Sequence, residues 1–364
     1  MLFRLEARPE ASRRMRYLSP IFAIALTLVG SFILFFALGK DPVESFKIFF
    51  FNPVRDLYGV SELLLKATPL MLVAVGLAVG YRANVWNIGA EGQFILGAIA
   101  ATGVALYFQH STSMWVLPMM LVAGAVGGGL WAAVPAFLRS RFHANEILVT
   151  LMMVYIAQFF ASWLIHDPWK DPQGFNFPQT RIFADSALLP LLIEGSRLNL
   201  AFLFALATLG VAYIFLERSF WGYQMQVSGQ AESAARYAGY SASRTIWIGL
   251  LAGGAMAGVA GMVEVAGPMG QLTESISSGY GFAAIIVAFV GRLHPVGIFF
   301  ASLLMALLYL GGEQAQQFVN LPSSISKVFQ GMLLFFLLAS DLFIAYRFRF
   351  DGAINWRNWL WKTT

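Results

Sequence analysis

Long uncharged apolar runs are the feature that most limits how this chain can fold. The hydrocarbon core of a bilayer is about 30 Å thick, so an α-helix rising about 1.5 Å per residue needs about 20 apolar residues to cross it. The chain has about ten candidate runs, at residues 21–39, 63–81, 92–109, 114–138, 147–166, 198–216, 245–263, 281–291, 296–312 and 328–346. The sequence therefore predicts an all-α, polytopic membrane protein. Residues 281–312 fit either two short spans or a re-entrant pair, because Arg292 to Pro295 interrupt them.

The composition also indicates a membrane protein. Hydrophobic residues make up 58% of the chain and charged residues 12%, with a mean hydropathy of +0.67, whereas soluble domains average about 25% charged residues. The absence of cysteine excludes disulfides, thiolate metal sites and cysteine nucleophiles. The net charge of +5 does not indicate nucleic-acid binding, because basic residues are expected in cytoplasmic loops. We therefore expect contact with membrane lipid and not with nucleic acid.

The distribution of basic residues predicts the orientation. Cytoplasmic loops carry an excess of lysine and arginine. With the N-terminus inside and the spans alternating, 16 of the 24 basic residues fall on the inside and 8 on the outside. Both termini are then cytoplasmic. The chain divides into a basic tail (1–19), a transmembrane domain (20–346) with an outside loop (167–197) and an inside loop (217–244), and a basic, aromatic tail (347–364).

A polar break at residues 84–93 separates two of the apolar runs. It contains Asn84, Asn87, Glu91 and Gln93. Polar groups beside lipid-length apolar segments are costly unless they face a protein interior or a water-filled path. Two glycines in the break loosen any helix there. The break fits either the rim or floor of a translocation pathway, or a turn at the membrane surface with a capping asparagine.

The inside loop contains an alanine-rich segment, residues 228–240. Ser228 is the candidate N-cap of a short helix and Gly239 the candidate C-terminal stop. The alanines at 231, 234, 235 and 238 recur at helical spacing and form a smooth face. A short isolated helix is marginal in water, so we expect this face to dock into a cleft on another protein. The alternative is a helix that lies on the membrane surface.

Glycines are dense in two of the predicted spans, 114–138 and 245–263. Small residues at three- and four-residue spacing let helix backbones touch in a membrane. The spacing therefore predicts close packing of these helices.

Sequence motifs for catalysis and ATP binding are missing. There is no G-x-x-x-x-G-K-[ST], so the chain does not bind ATP through a P-loop, and no G-x-S-x-G or metal-binding histidine spacing occurs. We therefore expect no catalytic or metal-ligating residues, which argues against a membrane enzyme; the polar break argues against a structural scaffold. Glu91, Glu264 and Asp341 border apolar runs. They are either helix-end charges at the interface or the proton or cation sites of a secondary transporter.

Several segments, in order, resemble the permease subunits of bacterial ABC importers that serve simple sugars, branched-chain amino acids and nucleosides. They are NIGAEGQ at 87–93, ANEI at 144–147 with TLM at 150–152, AARYAG at 234–239, and GYGF at 279–282. FPQT at 177–180 and LLP at 188–190 resemble the nucleoside-type members more than the ribose or amino-acid ones. The chain departs from the pattern at Tyr155, where asparagine is expected.

The resemblance implies partners and a mechanism. A second permease, identical or related, would complete the path, and a periplasmic or lipid-anchored binding protein would deliver the solute. Two cytoplasmic ATPase subunits would bind ATP–Mg, so that this inner-membrane chain needs no cofactor of its own. The inside helix would couple the ATPase to the path by alternating access, through Ser228, Gly229, Ala231, Ala234, Ala235, Arg236 and Gly239.

The resemblance also implies a solute and residues that line its path. Nucleosides are the first expectation, with simple sugars or branched-chain amino acids as alternatives. A flat base stacks on aromatic rings, and a polar sugar bonds to amides and carboxylates. The expected path residues are Asn84, Trp86, Asn87, Glu91, Gln93, Tyr280 and Phe282.

Overall fold

The computed structural model describes residues 3–8, 12–276, 278–322 and 324–350. Residues 351–364, most of the predicted C-terminal tail, lie outside the described part. The chain forms two compact units, one of residues 1–46 and 324–364 and the other of residues 47–323.

The first unit is built on a pair of long helices. Its elements are β1 (Phe3–Ala7), α1 (Arg13–Ala37), α13 (Ile325–Ala345) and β2 (Tyr346–Phe350). The two helices pack together, with Phe35 and Phe329 meeting edge to face at 5.6 Å. The Ser19 hydroxyl donates a hydrogen bond to the Asp341 carboxylate, which gives that predicted helix-end or proton-site charge a partner. The strands pair antiparallel, a small addition to the predicted helical fold.

The second unit holds most of the remaining helices. They are α3 (Leu57–Arg82), α4 (Ala90–Tyr107), α5 (Val116–Phe142), α6 (Glu146–His166), α7 (Ala201–Tyr213), α8 (Phe220–Gln230), α9 (Glu232–Tyr237), α10 (Ala242–Glu264), α11 (Tyr280–Val290) and α12 (Pro295–Val319). A short helix, α2 (Pro42–Phe50), lies where the two units join in sequence. One π-helical turn, Ile214–Arg218, continues α7, and another, Val265–Met269, continues α10.

Helices α3 and α10 form the centre of the second unit. Helix α3 is buried along most of its length, and α10 packs against α3, α4 and α5. The predicted close approach of glycines is confirmed where α5 crosses α10. A Cβ atom on Gly258 would lie 2.1 Å from the carbonyl oxygen of Gly124, and one on Gly128 would lie 2.2 Å from the carbonyl oxygen of Gly254, so neither position has room for a side chain. The dense glycines therefore bring these backbones into direct contact.

Nine helices within the described residues are long and apolar enough to cross a membrane, which confirms the polytopic helical fold. Helix α11 is different, because its 11 residues extend about 16 Å, roughly half of the hydrocarbon core. The stretch predicted as two short spans or a re-entrant pair is thus a half-length helix followed by the 25-residue α12. The inside location of both termini stays a prediction.

Candidate functional site

The polar break lies inside the helix bundle. Helix α3 ends at Arg82, α4 begins at Ala90, and Asn84 between them has a left-handed backbone with φ of 55°. The side-chain nitrogen of Asn87 lies 3.0 Å from where a Cβ atom on Gly253 would be. Gly253 is eleven residues, or about 16 Å, from the start of α10. The break is therefore part-way along the neighbouring helix rather than at its end, which favours a pathway wall over a surface turn.

A buried hydrogen-bond network holds the break in shape. The Asn87 and Gln93 side chains pair through both amide groups, at 2.8 and 3.2 Å. The Asn87 oxygen also accepts the backbone N–H of Gly89 at 3.1 Å, and the Tyr81 hydroxyl donates to the Asn87 carbonyl at 2.9 Å. The side chains of Asn87 and Gln93 are both almost completely buried. Such buried polar groups stabilise one conformation only when each is paired, as here.

Glu91 joins the start of α4 to the start of α11. Its carboxylate accepts the backbone N–H groups of Gly279 at 2.9 Å and Gly281 at 2.5 Å. These N–H groups belong to the N-terminus of α11, where a negative charge is favourable. The glycine at 281 is required, since a Cβ there would lie 2.2 Å from the Glu91 nitrogen. In this structure the fully buried Glu91 thus caps α11.

The other predicted path residues lie in two places. Trp86 stacks near Tyr81 and Phe289 at 5.2 and 5.7 Å, and its indole nitrogen donates to the Asn84 side chain at 2.9 Å. Tyr280 is buried, with its ring near those of Phe94 and Tyr309. Phe282, the next residue after Gly281, is 38% exposed. Of the predicted path residues, Tyr280 therefore lies close to the break, which itself contains Asn84, Trp86, Asn87, Glu91 and Gln93. Their role in lining the path stays a prediction.

Helix α6 supports the break from one side. The Glu146 carboxylate accepts the Trp86 backbone N–H at 3.3 Å and is paired with Arg139 at 2.5 Å. The Thr150 hydroxyl accepts the Ile88 N–H at 3.3 Å. The path residues predicted from the sequence do not include Glu146 and Thr150. Glu146 and Thr150 fall within the ANEI and TLM motifs, so the motifs were the signal that could have found them.

The predicted inside helix has a different start from the expected one. Ser228 does not cap it, because this residue lies within α8, and its hydroxyl is buried without a hydrogen-bond partner in the described structure. The backbone turns at Ala231, and α9 follows without a side-chain cap. The predicted stop is confirmed. Gly239 has φ of 81°, and the Tyr240 N–H donates to the Ala235 carbonyl at 2.9 Å, which closes the helix.

The alanine face of α9 is divided between surface and interior. Ala231, Ala234 and Ala238 are exposed, but Ala235 is only 3% exposed and packs inside the protein. Tyr237 is 98% exposed, although it is aromatic. Arg236, predicted for the same helix, pairs with Glu232 on its surface at 2.7 Å. The exposed surface of α9 and its two flanking residues therefore combines small residues and Tyr237 with the pair of Glu232 and Arg236.

Helix α8 touches the end of α3, directly before the break. Gly229 packs against α3 so closely that a Cβ would lie 2.1 Å from the Arg82 carbonyl oxygen. The Arg82 side chain binds the Glu217 carboxylate and donates to the carbonyls of Leu216 at 2.9 Å and Leu293 at 3.2 Å. One residue beside the break thus binds the end of α7 and the turn between α11 and α12. A cavity of about 550 Å³ separates α9 from the corner between α5 and α6.

Comparison with known proteins agrees with these features. The model of a family described as "Branched-chain amino acid transport system / permease component" matches residues 59–338. A glucose ABC transporter permease protein of Haloferax volcanii is 32% identical over 94% of this chain and 92% of its own length. A nucleoside ABC transporter permease protein of Lactococcus lactis is 28% identical, over 90% of this chain and 92% of its own. A guanosine ABC transporter permease protein of Bacillus subtilis is also 28% identical, over 90% and 94%. No solved structure matches the chain significantly.

Proposed function

The chain belongs to the family of permease components of branched-chain amino acid transport systems, and on that premise we propose that it forms the membrane path of an ATP-driven importer for hydroxyl-rich solutes, nucleosides first. It is a multi-pass protein of the bacterial inner membrane. It is also a non-catalytic subunit, because a separate ATPase hydrolyses ATP in such transporters. Association with an ATPase and a substrate-binding protein follows from the family.

One observation carries the coupling part of the proposal: an exposed short helix, α9, follows a helix that is in backbone contact with the end of α3, directly before the break. The surface of α9 presents small residues around the exposed Tyr237, a shape that fits a cleft on a partner. Gly229, on the adjoining α8, touches Arg82. A push on α9 is therefore passed to the inner end of α3 and to the break. ATP–Mg stays on the partner ATPase, and this chain needs no cofactor.

The solute is a nucleoside or, as the second candidate, a simple sugar. Two of the relatives named above are nucleoside or guanosine permeases, and one is a glucose permease. The two solute classes share hydroxyl-bearing rings, which amide and carboxylate groups recognise. A second permease chain, identical or related, completes the path, and the inside loop 217–244 faces the cytoplasmic ATPase.

The test is uptake of labelled guanosine, uridine and glucose by membrane vesicles containing this chain, its ATPase and its binding protein. The variant is Ala234→Arg, because Ala234 is exposed. Ala235 is not chosen, because it is buried and replacing it would disturb folding. Ala234→Ser is the matched control, since it keeps the residue small. We expect Ala234→Arg to insert normally and to lose both uptake and stimulated ATP hydrolysis.

Three outcomes separate the parts of the proposal. Normal uptake in Ala234→Arg contradicts the coupling role of α9. Glucose uptake without nucleoside uptake selects the second solute class. Uptake that stops with an uncoupler while ATP stays high contradicts an ATP-driven importer and favours ion coupling.

A further inference from the structure

A buried acidic side chain near the far end of α10 lacks a hydrogen-bond donor. Glu264 is 8% exposed, and no described residue donates a hydrogen bond to its carboxylate. Burying a carboxylate without donors is costly. The residue directly precedes the π-helical turn Val265–Met269, and such turns occur frequently at functional sites. The position therefore calls for a compensating group.

The nearby cations do not fill that role, because both are bound to other carboxylates. Arg197 binds Glu62 through two contacts, at 3.0 and 2.5 Å, and Lys66 binds Glu313 at 2.8 Å. Glu264 lies within electrostatic range of both cations. It thus sits in a favourable potential with its oxygen atoms still available as acceptors.

Aromatic and amide groups surround the same place. Tyr280 is within electrostatic range of Glu264, and its ring lies 5.4 Å from that of Tyr309. The side-chain nitrogen of Asn199 is buried without an acceptor, at 2.5 Å from where a Cβ on Gly267 would lie, three residues beyond Glu264. An unused acceptor, an unused donor and two aromatic rings therefore gather at one end of α10.

We propose that Glu264, with Tyr280, Tyr309 and Asn199, forms a contact point that recognises hydroxyl groups of the imported solute. A carboxylate accepts two hydroxyl hydrogens at once, an amide nitrogen donates to a ring or hydroxyl oxygen, and a tyrosine ring packs on a base or sugar face. Asn199, Tyr280 and Glu264 are buried in this structure, so the solute reaches them when this end of the bundle opens. The inference rests on the proposed import of hydroxyl-rich solutes and names a residue set for it.

The test compares solutes that differ by one hydroxyl. Vesicles containing the whole transporter would be assayed with uridine, 2′-deoxyuridine and 3′-deoxyuridine, and with glucose and 2-deoxyglucose. The variant is Glu264→Gln, and the control is Glu313→Gln, which alters a half-exposed carboxylate in the same cluster. The binding protein is the same in every sample, so a change in preference between variant and wild type comes from the permease.

We expect Glu264→Gln to slow uptake of a fully hydroxylated solute by about three- to tenfold, the effect of one hydrogen bond. An analogue lacking the contacted hydroxyl should slow by less than about twofold. The Glu313→Gln control should leave preferences unchanged. Equal slowing of all solutes, no slowing, or a changed pH profile without changed preference overturns the inference. If wild-type vesicles import neither nucleosides nor sugars, the proposed function fails, and the inference fails with it.

Discussion

The carboxylate of Glu91 binds the backbone N–H of Gly281 at 2.5 Å, which ties the start of one helix to the start of another 190 residues away. Both helix starts lie at the polar break, and α11 is long enough to cross only about half of a bilayer. A half-length helix that begins inside a bundle exposes backbone donors that need an acceptor. Glu91 supplies it, and this explains how a buried acidic side chain is accommodated inside an apolar bundle.

Removing the Glu91 carboxylate should destabilise the permease. Glu91→Ala leaves two N–H groups without an acceptor and should lower the free energy of unfolding by about 1–3 kcal/mol, whereas Glu91→Gln keeps one oxygen and should lose less. Thermal unfolding in detergent, followed by tryptophan fluorescence, ranks the stability of the purified wild type, Glu91→Gln and Glu91→Ala proteins. A Glu91→Ala protein as stable as wild type contradicts the capping role.

Neighbouring glycines on α5 should respond very differently to alanine. A Cβ on Gly128 would lie 2.2 Å from the Gly254 carbonyl, whereas the nearest atom to a Cβ on Gly129 is 3.9 Å away. Gly128→Ala should therefore force α5 and α10 apart and cost about 1–3 kcal/mol. Gly129→Ala should be neutral and serves as the matched control. Equal thermal stability of the two variants contradicts the backbone contact.

Much of the fold follows from the sequence, whereas the connections around the break do not. Runs of apolar residues predict the long helices, because length and hydropathy are local properties. The apolar run at 281–291 predicts the position of the half-length α11, but the contact of its first residues with Glu91 does not follow from the sequence. Ser228 looks like an N-cap from its neighbours alone, yet α8 continues past it. Contacts between distant segments decide such cases, and one sequence does not contain them.

The ion pair between Glu62 and Arg197 should stabilise the second unit chiefly by giving the buried Glu62 carboxylate a hydrogen-bonded cation. The Glu62 side chain is 7% exposed and that of Arg197 is 56% exposed. The hydrogen bond with Glu62 raises the pKa of Arg197, so the cation stays charged across the working pH range. Arg197→Ala leaves a buried carboxylate and should cost about 2 kcal/mol, a value reduced for solvent screening.

The double variant Glu62→Ala with Arg197→Ala tests this account of the pair. It should be more stable than Arg197→Ala alone, because no unpaired charge remains. Urea unfolding in detergent gives the three free energies. Strictly additive losses contradict a coupled pair.

Single cysteines in this cysteine-free chain should establish the orientation. Glu194 lies on an exposed loop, and Ser233 lies on the exposed α9. With the basic residues inside, Glu194→Cys should react with a membrane-impermeant maleimide in cells with a permeabilised outer membrane. Ser233→Cys should react only after the inner membrane is opened. The reverse pattern contradicts cytoplasmic termini and places α9 away from any ATPase.

The support that α6 gives to the break should matter for transport more than for folding. Glu146 accepts the Trp86 N–H at 3.3 Å and binds Arg139, and both charged residues line the cavity next to α9. Glu146→Gln keeps the side-chain shape but weakens both contacts, because charge-assisted hydrogen bonds are about twice as strong as neutral ones. The break then loses one fixed point while the network of Asn87 and Gln93 remains. We expect stimulated ATP hydrolysis close to wild type with uptake reduced several-fold.

Arg139→Lys, which keeps the charge, should retain more uptake than Glu146→Gln, since the ion pair persists in a weaker geometry. Parallel loss of ATP hydrolysis and uptake would instead place Glu146 in ATPase docking, and unchanged uptake would show that the break keeps its shape without this contact.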